Sequence, residues 1–351
     1  MALATLSWQQ RRSMTTPLAA IVLAAGQGTR MKSDLHKVLH PVAGRPMLLH
    51  LLASLGELAP ERSVVVAGAR REQVEEAVRP LGVAVALQAE QLGTGHAVAQ
   101  AEGALRGFEG DVLVLYGDVP LVRAETMRRM VERLHAPDAP AAVVLGFRLA
   151  DPAAYGRVVA DDHGRIVRMV EFKDASDAER AVDLCNSGLM AARSADLFAL
   201  LARVGNDNAA GEYYLPDVVT LAAADGRMSA VIETDAAEVA GVNSRAELAA
   251  VEADWQRRRR SQAMADGATL VAPGTVWFSH DTRIGRDVLV EPNVVFGPGV
   301  TVADGATIHA FSHLAGATVA TSPVTGFRRS KARLRTASGG GLAIGFSPGS
   351  V

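Results

Sequence analysis

Between residues 18 and 135, apolar runs alternate with segments of helical periodicity. The apolar runs, which predict strands, lie at 18–25, 63–68, 83–88 and 111–116, and the helical segments lie near 45–58, 70–79, 94–107 and 122–135. This alternation predicts an α/β fold of βαβ units, in which a largely parallel sheet carries helices on both faces. Ligands of such sheets bind at the carboxyl ends of the strands, so we expect the functional residues to follow the apolar runs.

The pattern becomes mixed after about residue 140. Further strands are predicted at 141–149, 157–160, 165–171, 184–191 and 229–234. The segment Asp161–Gly164 is typical of a hairpin turn. We interpret 18–243 as one domain, followed by a linker helix over 244–266. The four arginines at 257–260 spread around more than one helical turn, which favours a solvated surface over a nucleic-acid patch.

A third pattern begins after Gly267, where an apolar residue recurs about every sixth place with turn-forming residues between. These apolar residues are Val271, Trp277, Ile284, Val290, Phe296, Val302, Ile308 and Leu314. The period predicts a parallel β-helix of hexapeptide repeats over 267–320, with three hexads to a coil and fewer than about three coils. So short a solenoid should need capping or self-association. Residues 321–351 lack the period, and we predict disorder there, or at most a loose cap.

Composition limits the classes of function. A chain of 351 residues favours two domains, and 49% apolar residues without a long apolar run predict no membrane span. The formal charge of −2 predicts neither a nucleic-acid nor a membrane partner. The single cysteine, Cys185, favours a reducing cytoplasm. Residues 1–17 lack the apolar core of a signal peptide, and we predict a disordered leader.

The first apolar run ends in Gly26-Gln27-Gly28, where backbone N–H groups can converge on an anion. Arg30 and Lys37 add two cations, which favours a polyphosphate ligand. A Gly-x-Gly turn alone is better explained as an ordinary strand-to-helix turn. The full string LAAGQGTRM followed by a lysine is more specific, and it resembles the signature of sugar-nucleotide pyrophosphorylases.

Two other strand ends carry polar residues. The amide of Gln88 can both donate and accept, as the edge of uracil or thymine requires, and Gly93 can add a backbone N–H; a surface glutamine is the alternative. Asp118 suits Mg²⁺, which prefers few carboxylates plus substrate phosphates. A Gly-Asp turn or helix cap is the alternative for this residue. His96 has no partner at metal-ligand spacing, so we interpret it as a helix-terminal or core histidine.

Longer strings extend the resemblance over about residues 18–320. In chain order they are LAAGQGTRMKSDLHKVLHPVAGRPM, LQAEQLGTGHAV, YGDVPL, YGRVV, VEFKDA, CNSGLMA, GEYYLPDVV and VAGVNSR, followed by the hexapeptide repeats. The chain therefore resembles the bacterial bifunctional UDP-N-acetylglucosamine pyrophosphorylase / glucosamine-1-phosphate N-acetyltransferase family. The resemblance implies a Rossmann-like nucleotidyltransferase domain followed by a left-handed β-helix that trimerises.

The resemblance also implies roles for residues at matching positions. It implies Arg30 and Lys37 as catalytic phosphate-binding cations, Asp118 and Asn243 as Mg²⁺ ligands, and Gly156, Glu171 and Asn186 as sugar contacts. The remaining substrate contacts implied are Leu23, Ala25, Gly26, Gly28, Gln88, Gly93, Thr94 and Gly117. Two departures stand close to these positions. His36 replaces a usual proline before Lys37, and Ser187 replaces a usual threonine.

The implied activity is Mg²⁺-dependent uridylyl transfer from UTP to N-acetylglucosamine 1-phosphate, giving UDP-N-acetylglucosamine for cell-wall precursors. The acetyltransferase residues of the family lie in later coils, so we expect acetyl transfer to be absent. A homotrimer is implied, but the shortness of the β-helix weakens that expectation. The alternatives are a pyrophosphorylase for another sugar 1-phosphate or NTP, and a catalytically silent hexapeptide-repeat scaffold.

Overall fold

The computed structural model describes residues 16–321 and 334–336. They form two compact units. The first comprises the chain up to Pro41 and Pro46–Val251, and the second comprises Val42–Arg45 and the chain from Glu252 onward. The predicted leader and tail lie mostly outside the described residues.

Eight α-helices occur in the described part of the chain. They are α1 Met47–Gly56, α2 Arg71–Val78, α3 Thr94–Ala99, α4 Ala124–Leu134, α5 Asp177–Arg180, α6 Ser194–Leu201, α7 Asp217–Ala224 and α8 Arg245–Ala265. No helix among the described residues combines the length and apolar character needed to span a membrane.

Eleven strands precede α8. They are β1 Leu18–Ala24, β2 Pro41–Val42, β3 Arg45–Pro46, β4 Arg62–Ala67, β5 Ala84–Leu87, β6 Asp111–Tyr116, β7 Ala142–Arg148, β8 Arg157–Ala160, β9 Ile166–Val170, β10 Leu184–Arg193 and β11 Ala230–Glu233. Nine of them form one sheet, with β11-β7-β10-β6-β1-β4-β5 as its path and β8 and β9 at its side. The neighbours β5, β4, β1 and β6 are parallel, which confirms the predicted βαβ half.

The parallel strands are buried on both faces, and this explains their continuous apolar runs. In β1, Ala19, Ile21 and Leu23 face one apolar cluster. The alternate residues Ala20, Val22 and Ala24 face the other. The two clusters fix the strand between two layers, so the loop after Ala24 starts from a rigid base.

The second half of the sheet is mixed. Strand β10 runs antiparallel to both β6 and β7, whereas β11 is parallel to β7. The hairpin between β8 and β9 forms as predicted, with Gly164 at a φ of 71° and Asp161 N–H donating to Arg165 O at 3.0 Å.

Some helical segments differ from expectation. The helix predicted over 94–107 ends at Ala99 and continues as turns, because Gly103 and Gly107 weaken the helix and Gly107 adopts a φ of 71°. Helices α5, α6 and α7 were missing from the prediction, since each has at most eight residues and depends on tertiary packing.

The second unit contains a short parallel β-helix. Its strands are β12 Thr269–Leu270, β13 Val276–Trp277, β14 Arg283–Ile284, β15 Leu289–Val290, β16 Val294–Phe296, β17 Thr301–Val302, β18 Thr307–Ile308, β19 His313–Leu314 and β20 Ala317–Val319. Val276 pairs with Val294 and Leu289 with Thr307, so one coil takes eighteen residues, or three hexads, as predicted. A last strand, β21 Leu334–Thr336, pairs antiparallel with β20.

Two of the residues that define the six-residue period do not point into the first coil. Val271 and Trp277 are exposed, and their neighbours Leu270 and Val276 are buried instead. The stacked rings of Phe278 and Phe296, 5.2 Å apart, explain the shift, because Phe278 fills the coil interior beside Val276. The hexapeptide period therefore begins later than the sequence suggested.

The arginine run of α8 is only partly solvated. Arg259 donates to the Thr282 carbonyl at 2.9 Å, and Arg260 donates to the Val276 carbonyl at 3.2 Å. The prediction of a solvated surface is wrong for these two residues, because they satisfy carbonyl groups of the β-helix.

Candidate active site

Lys37 packs against the glycine loop that follows β1. Gly28 has a φ of 63°, and a Cβ there would lie 2.6 Å from Cβ of Lys37. Only glycine permits both this conformation and this approach. The following 3-10 turn, Thr29–Met31, is anchored by Met31, which is 1% exposed. The predicted loop therefore exists and is packed directly against the predicted lysine.

The Lys37 ammonium joins residues from three distant segments. Its Nζ lies 2.5 Å from Oδ2 of Asp118 and 3.0 Å from Oδ1 of Asn243. The Lys37 and Asp118 side chains are 11% and 15% exposed, so water screens this pair poorly. Sequence separations of 81 and 206 residues make this convergence a product of the fold.

Asn243 is fixed by the start of α8. Its N–H donates to Oε2 of Glu247 at 2.7 Å, and the Ser244 hydroxyl donates to the same oxygen at 3.0 Å. Burial alone would raise the pKa of Glu247, but these hydrogen bonds outweigh it and lower the pKa. The preceding Val242 N–H donates to the Asp118 carbonyl at 3.0 Å, which joins the two oxygen-bearing segments.

Gln88 and the loop after it form one wall of the cavity. Gln88 is 4% exposed, and its Nε2 donates to the Gly93 carbonyl at 3.1 Å. Gly93 has a φ of 110°, and a Cβ there would lie 2.6 Å from the Tyr213 carbonyl. Gln91 reaches across to the glycine loop, with Nε2 donating to the Ala25 carbonyl at 2.6 Å. The two loops are thereby tied to each other.

Tyr116 connects this wall with a second group of predicted residues. Its hydroxyl bonds to the Thr94 side chain, and burial raises its pKa, so the phenol stays protonated. On its other side, the Tyr116 ring would lie 2.8 Å from a Cβ on Gly188. The tyrosine therefore lies between Thr94 and the part of β10 that follows Asn186.

Glu171, Gly156 and Asn186 lie together. A Cβ on Gly156 would lie 3.1 Å from Oε2 of Glu171, and Asn186 N–H donates to the Gly156 carbonyl at 2.9 Å. The pairing of β10 with β7 shifts between Asn186 and Met190. Such a bulge re-aims side chains. Burial raises the pKa of Glu171, and Asp174, Asp217 and Glu212 raise it further.

A cavity of about 470 Å³ brings most of the predicted residues into one space. Its lining includes the predicted Leu23, Ala25, Gly26, Lys37, Gln88, Gly93, Thr94, Asp118 and Asn243. Gly117 lies just behind it, with its N–H donating to Leu23 O at 2.9 Å. A larger hollow of about 730 Å³ elsewhere in this unit contains none of the predicted residues, so size alone does not locate the site.

Besides Gly117, five predicted residues do not line this cavity, namely Gly28, Arg30, Gly156, Glu171 and Asn186. Arg30 lies on the turn after the glycine loop. Its side chain is exposed on the 3-10 turn, where its charge helps to lower the pKa of Glu247.

Several residues that line the cavity were not predicted from the sequence, namely Gln91, Tyr116, Tyr155, Ser187, Glu212 and Gly241. The strings YGDVPL and GEYYLPDVV contained the signal for Tyr116 and Glu212, but only the fold brings those strings together.

The oxygen pair fits Mg²⁺ by its chemistry. Asp118 and Asn243 direct a carboxylate and an amide oxygen at one positive charge, the Lys37 ammonium. Magnesium typically binds through one or two carboxylates, with substrate phosphates and waters completing its shell. Within residues 16–321, no cluster of three or more His, Cys, Asp or Glu forms a separate metal site.

Comparison with protein families defines the class. Residues 20–171 match the MobA-like NTP transferase domain, and residues 281–316 match the bacterial transferase hexapeptide (six repeats). A solved structure of UDP-glucose pyrophosphorylase complexed with UDP-glucose superposes with a TM-score of 0.55 at 18% identity, over 69% of this chain and 100% of that one. The chain is therefore a nucleotidyltransferase with a Rossmann-like fold and appended hexapeptide repeats.

Close relatives identify the family. The bifunctional protein GlmU of Sphingopyxis alaskensis is 68% identical over 307 residues, covering 87% of this chain and 67% of the relative. The GlmU proteins of Novosphingobium aromaticivorans and Zymomonas mobilis are 71% and 56% identical, over 81% and 86% of this chain. The chain belongs to the GlmU family, and it spans between 63% and 68% of the length of these relatives.

Proposed function

We propose that this chain transfers the uridylyl group of UTP to N-acetylglucosamine 1-phosphate, giving UDP-N-acetylglucosamine and pyrophosphate. The observation that carries the proposal is the meeting of Lys37, Asp118 and Asn243 at one end of the cavity that Gln88 and Gly93 line. The Lys37 cation and the oxygens of Asp118 and Asn243 thus line the same cavity as two residues that suit the edge of a pyrimidine base. This reaction requires both sets of groups.

The chemistry needs charge neutralisation more than proton transfer. A phosphate oxygen of the sugar 1-phosphate attacks the α-phosphorus of UTP, a new P–O bond forms, and the bond to pyrophosphate breaks. A phosphate monoester is already mostly dianionic at pH 7, since its second pKa is about 6, so no general base is required. Lys37 and the glycine-loop amides stabilise the charge that develops on the phosphates.

Asp118 and Asn243 would hold Mg²⁺, which when bound neutralises charge on the triphosphate and on the leaving pyrophosphate. In the structure Lys37 contacts these same two oxygens. We propose that the lysine turns from them to a phosphate oxygen when nucleotide and metal enter. Its side chain needs only rotations about its flexible stem for this exchange.

The sugar side is assigned to Glu171, Gly156 and Asn186. A carboxylate, an amide and a nearby backbone can bind hydroxyl and acetamido groups, which both donate and accept hydrogen bonds. The hydrogen bond between Asn186 N–H and the Gly156 carbonyl supports a single pre-formed subsite. Tyr116, between this subsite and Thr94, separates the sugar from the base.

A substrate panel tests the assignment. The purified chain should be assayed for pyrophosphate release with UTP, CTP, ATP and GTP against the 1-phosphates of N-acetylglucosamine, glucosamine, glucose and galactose. We expect the pair of UTP and N-acetylglucosamine 1-phosphate to give the highest kcat/KM. A preference for another pair would support the alternative pyrophosphorylase, and no release with any pair would support the silent scaffold.

We further propose that the 351-residue chain does not transfer acetyl groups. The hexapeptide period stops near Ala320, and Leu334–Thr336 pair antiparallel where another coil would pair in parallel. Thiol release from acetyl-CoA with glucosamine 1-phosphate tests this. A rate equal to the enzyme-free blank is expected, and a rate above it contradicts the proposal.

Self-association and a cytoplasmic location complete the proposal. Trp277 and Val295 stand next to each other on the outer face of the β-helix, 43% and 40% exposed, which supports a homotrimer through this face. Light scattering should give three times the chain mass, and W277E should lower the measured mass.

We also propose a cytoplasmic location. The buried Cys185 forms no disulfide among the described residues, as a reducing cytoplasm allows.

A further inference from the structure

The orientation of the Gln88 amide is decided by the Gly93 carbonyl. Nε2 of Gln88 lies 3.1 Å from that carbonyl oxygen. A carbonyl only accepts hydrogen bonds, so the amide must present its nitrogen there and not its oxygen. The carbonyl itself is held in place, because Tyr213 N–H donates to Leu92 O and Gly95 N–H donates to Tyr213 O, both at 2.8 Å.

His96 receives the second hydrogen of the same amide. Its Nδ1 lies 3.1 Å from Nε2 of Gln88. Because the amide nitrogen is a donor, Nδ1 must carry a lone pair, and the neutral ring therefore has its proton on Nε2. Both amide hydrogens of Gln88 are then used inside the protein. The amide oxygen is the group left for a ligand in the cavity that Gln88 lines.

Gln100 competes for the histidine tautomer. Its Nε2 lies 3.1 Å from the ring Nε2 and also 3.1 Å from the His96 carbonyl. A neutral ring accepts at one nitrogen only, so the two glutamines cannot both donate to it. Gln88 is 4% exposed, so a bond lost from its amide nitrogen is costly to replace, whereas the half-buried Gln100 keeps the carbonyl as its acceptor. Gln88 therefore sets the tautomer.

We propose that His96 is a specificity-determining positioning residue, which selects uracil over cytosine by holding the oxygen of Gln88 toward the base. This inference rests on the proposed uridine site. Uracil presents N3–H, which can donate to that oxygen, with a neighbouring carbonyl that can accept from the Gly93 N–H. Cytosine presents a lone pair at N3, which the Gln88 oxygen repels. A site built to accept a hydrogen bond rejects strongly the analogue that cannot donate one.

The variant His96→Leu tests the role by removing the ring acceptor while keeping similar bulk. We expect the ratio of kcat/KM for UTP to that for CTP to fall by about tenfold or more. The loss should lie mainly in the KM for UTP, with the KM for the sugar phosphate unchanged. The matched control Gln100→Ala should keep the wild-type ratio or raise it, because it removes the competing donor. An unchanged ratio in H96L would overturn the proposal.

Two further measurements separate the possible failures. If the wild-type chain transfers no uridylyl group, the proposed function fails. The ratio of the two kcat/KM values cannot then be measured, and the NMR measurement below decides on the His96 tautomer. If the wild-type chain does transfer it but H96L does not fold, His96→Ala, which also lacks the acceptor, replaces H96L with the same expected direction. Independently of activity, ¹⁵N NMR of the wild-type imidazole should show an unprotonated Nδ1 and a protonated Nε2. The opposite tautomer in the folded protein would refute the assignment.

Discussion

The two halves of the candidate site are held by different means. On the nucleotide side, Lys37, Gln88 and Asp118 follow or lie beneath buried parallel strands and contact one another or nearby backbone directly. On the side that we propose for the sugar, Asn186 lies at a bulge of the antiparallel strand β10, and Glu171 follows the end of β9 and lies near other acids. A cation therefore marks the phosphate end and carboxylates mark the hydroxyl end, as a sugar 1-phosphate requires.

The largest effect should come from removing the nucleotide-side cation. Lys37→Met should lower kcat by about 100- to 1000-fold, because one donor aimed at developing charge is typically worth that much. Lys32→Met is the matched control, since Lys32 is exposed on the same loop. Pyrophosphate release measures both variants, and circular dichroism checks their folding. A K37M rate within threefold of wild type would show that Lys37 has no such role.

Single truncations on each side should separate the two subsites. Gln88→Ala should raise the KM for UTP about tenfold, the value of roughly one buried hydrogen bond, and leave the KM for the sugar phosphate near wild type. Asn186→Ala should raise the KM for the sugar phosphate about tenfold and leave the KM for UTP near wild type. Full kinetic matrices in both substrates measure the pattern. If both variants raise the same KM, the division into two subsites is wrong.

The ionised Glu171 side chain should lower the stability of the fold while supporting activity. Its raised pKa means that ionisation costs folding energy, so its contribution to stability is present at low pH and is lost as pH rises through the folded pKa. Glu171→Gln should therefore raise Tm at pH 8 by a few degrees and lower sugar turnover about tenfold. Thermal melts at pH 4.5 and pH 8 measure this. The Tm gain should shrink at the lower pH, and a gain that grows there would contradict the explanation.

His36 should affect stability in acid more than catalysis. Burial lowers its pKa from 6.5 to about 4, and the charges of Lys37, Arg70 and His40 act in the same direction. Protonation then favours the unfolded chain, so stability is lost as pH falls from 6.5 toward about 4.

Proline fits the backbone of residue 36, where φ is −57°. His36→Pro should remove this acid slope while losing the bond from its N–H to Gln73. Urea melts from pH 4 to pH 7 measure the slope, which would persist in the variant if other groups cause it.

What could be predicted from the sequence also differs between the two halves of the candidate site. Glycine, lysine and aspartate after apolar runs were predictable, because parallel strands end at one edge of the sheet and their loops must meet there. The contact of Lys37 with Asn243, 206 residues away, was not, since no local pattern encodes it. Resemblance named Asn186, but only the structure revealed the bulge that follows it and its hydrogen bond to the Gly156 carbonyl.

The β-helix shows the limit of periodicity. The six-residue period predicted its eighteen-residue coils, yet two residues that belong to that period, Val271 and Trp277, are exposed. Period alone does not set register at the first coil, where Phe278 fills the interior and the inward positions move by one.

The most direct test of the account is ³¹P NMR of the purified chain with UTP and N-acetylglucosamine 1-phosphate. Without divalent metal we expect the signals of both substrates to persist. On addition of Mg²⁺ the signals of UDP-N-acetylglucosamine and pyrophosphate should appear in equal amounts, and Asp118→Asn should suppress both. Unchanged UTP after addition of Mg²⁺ to the folded wild-type chain would contradict the central claim.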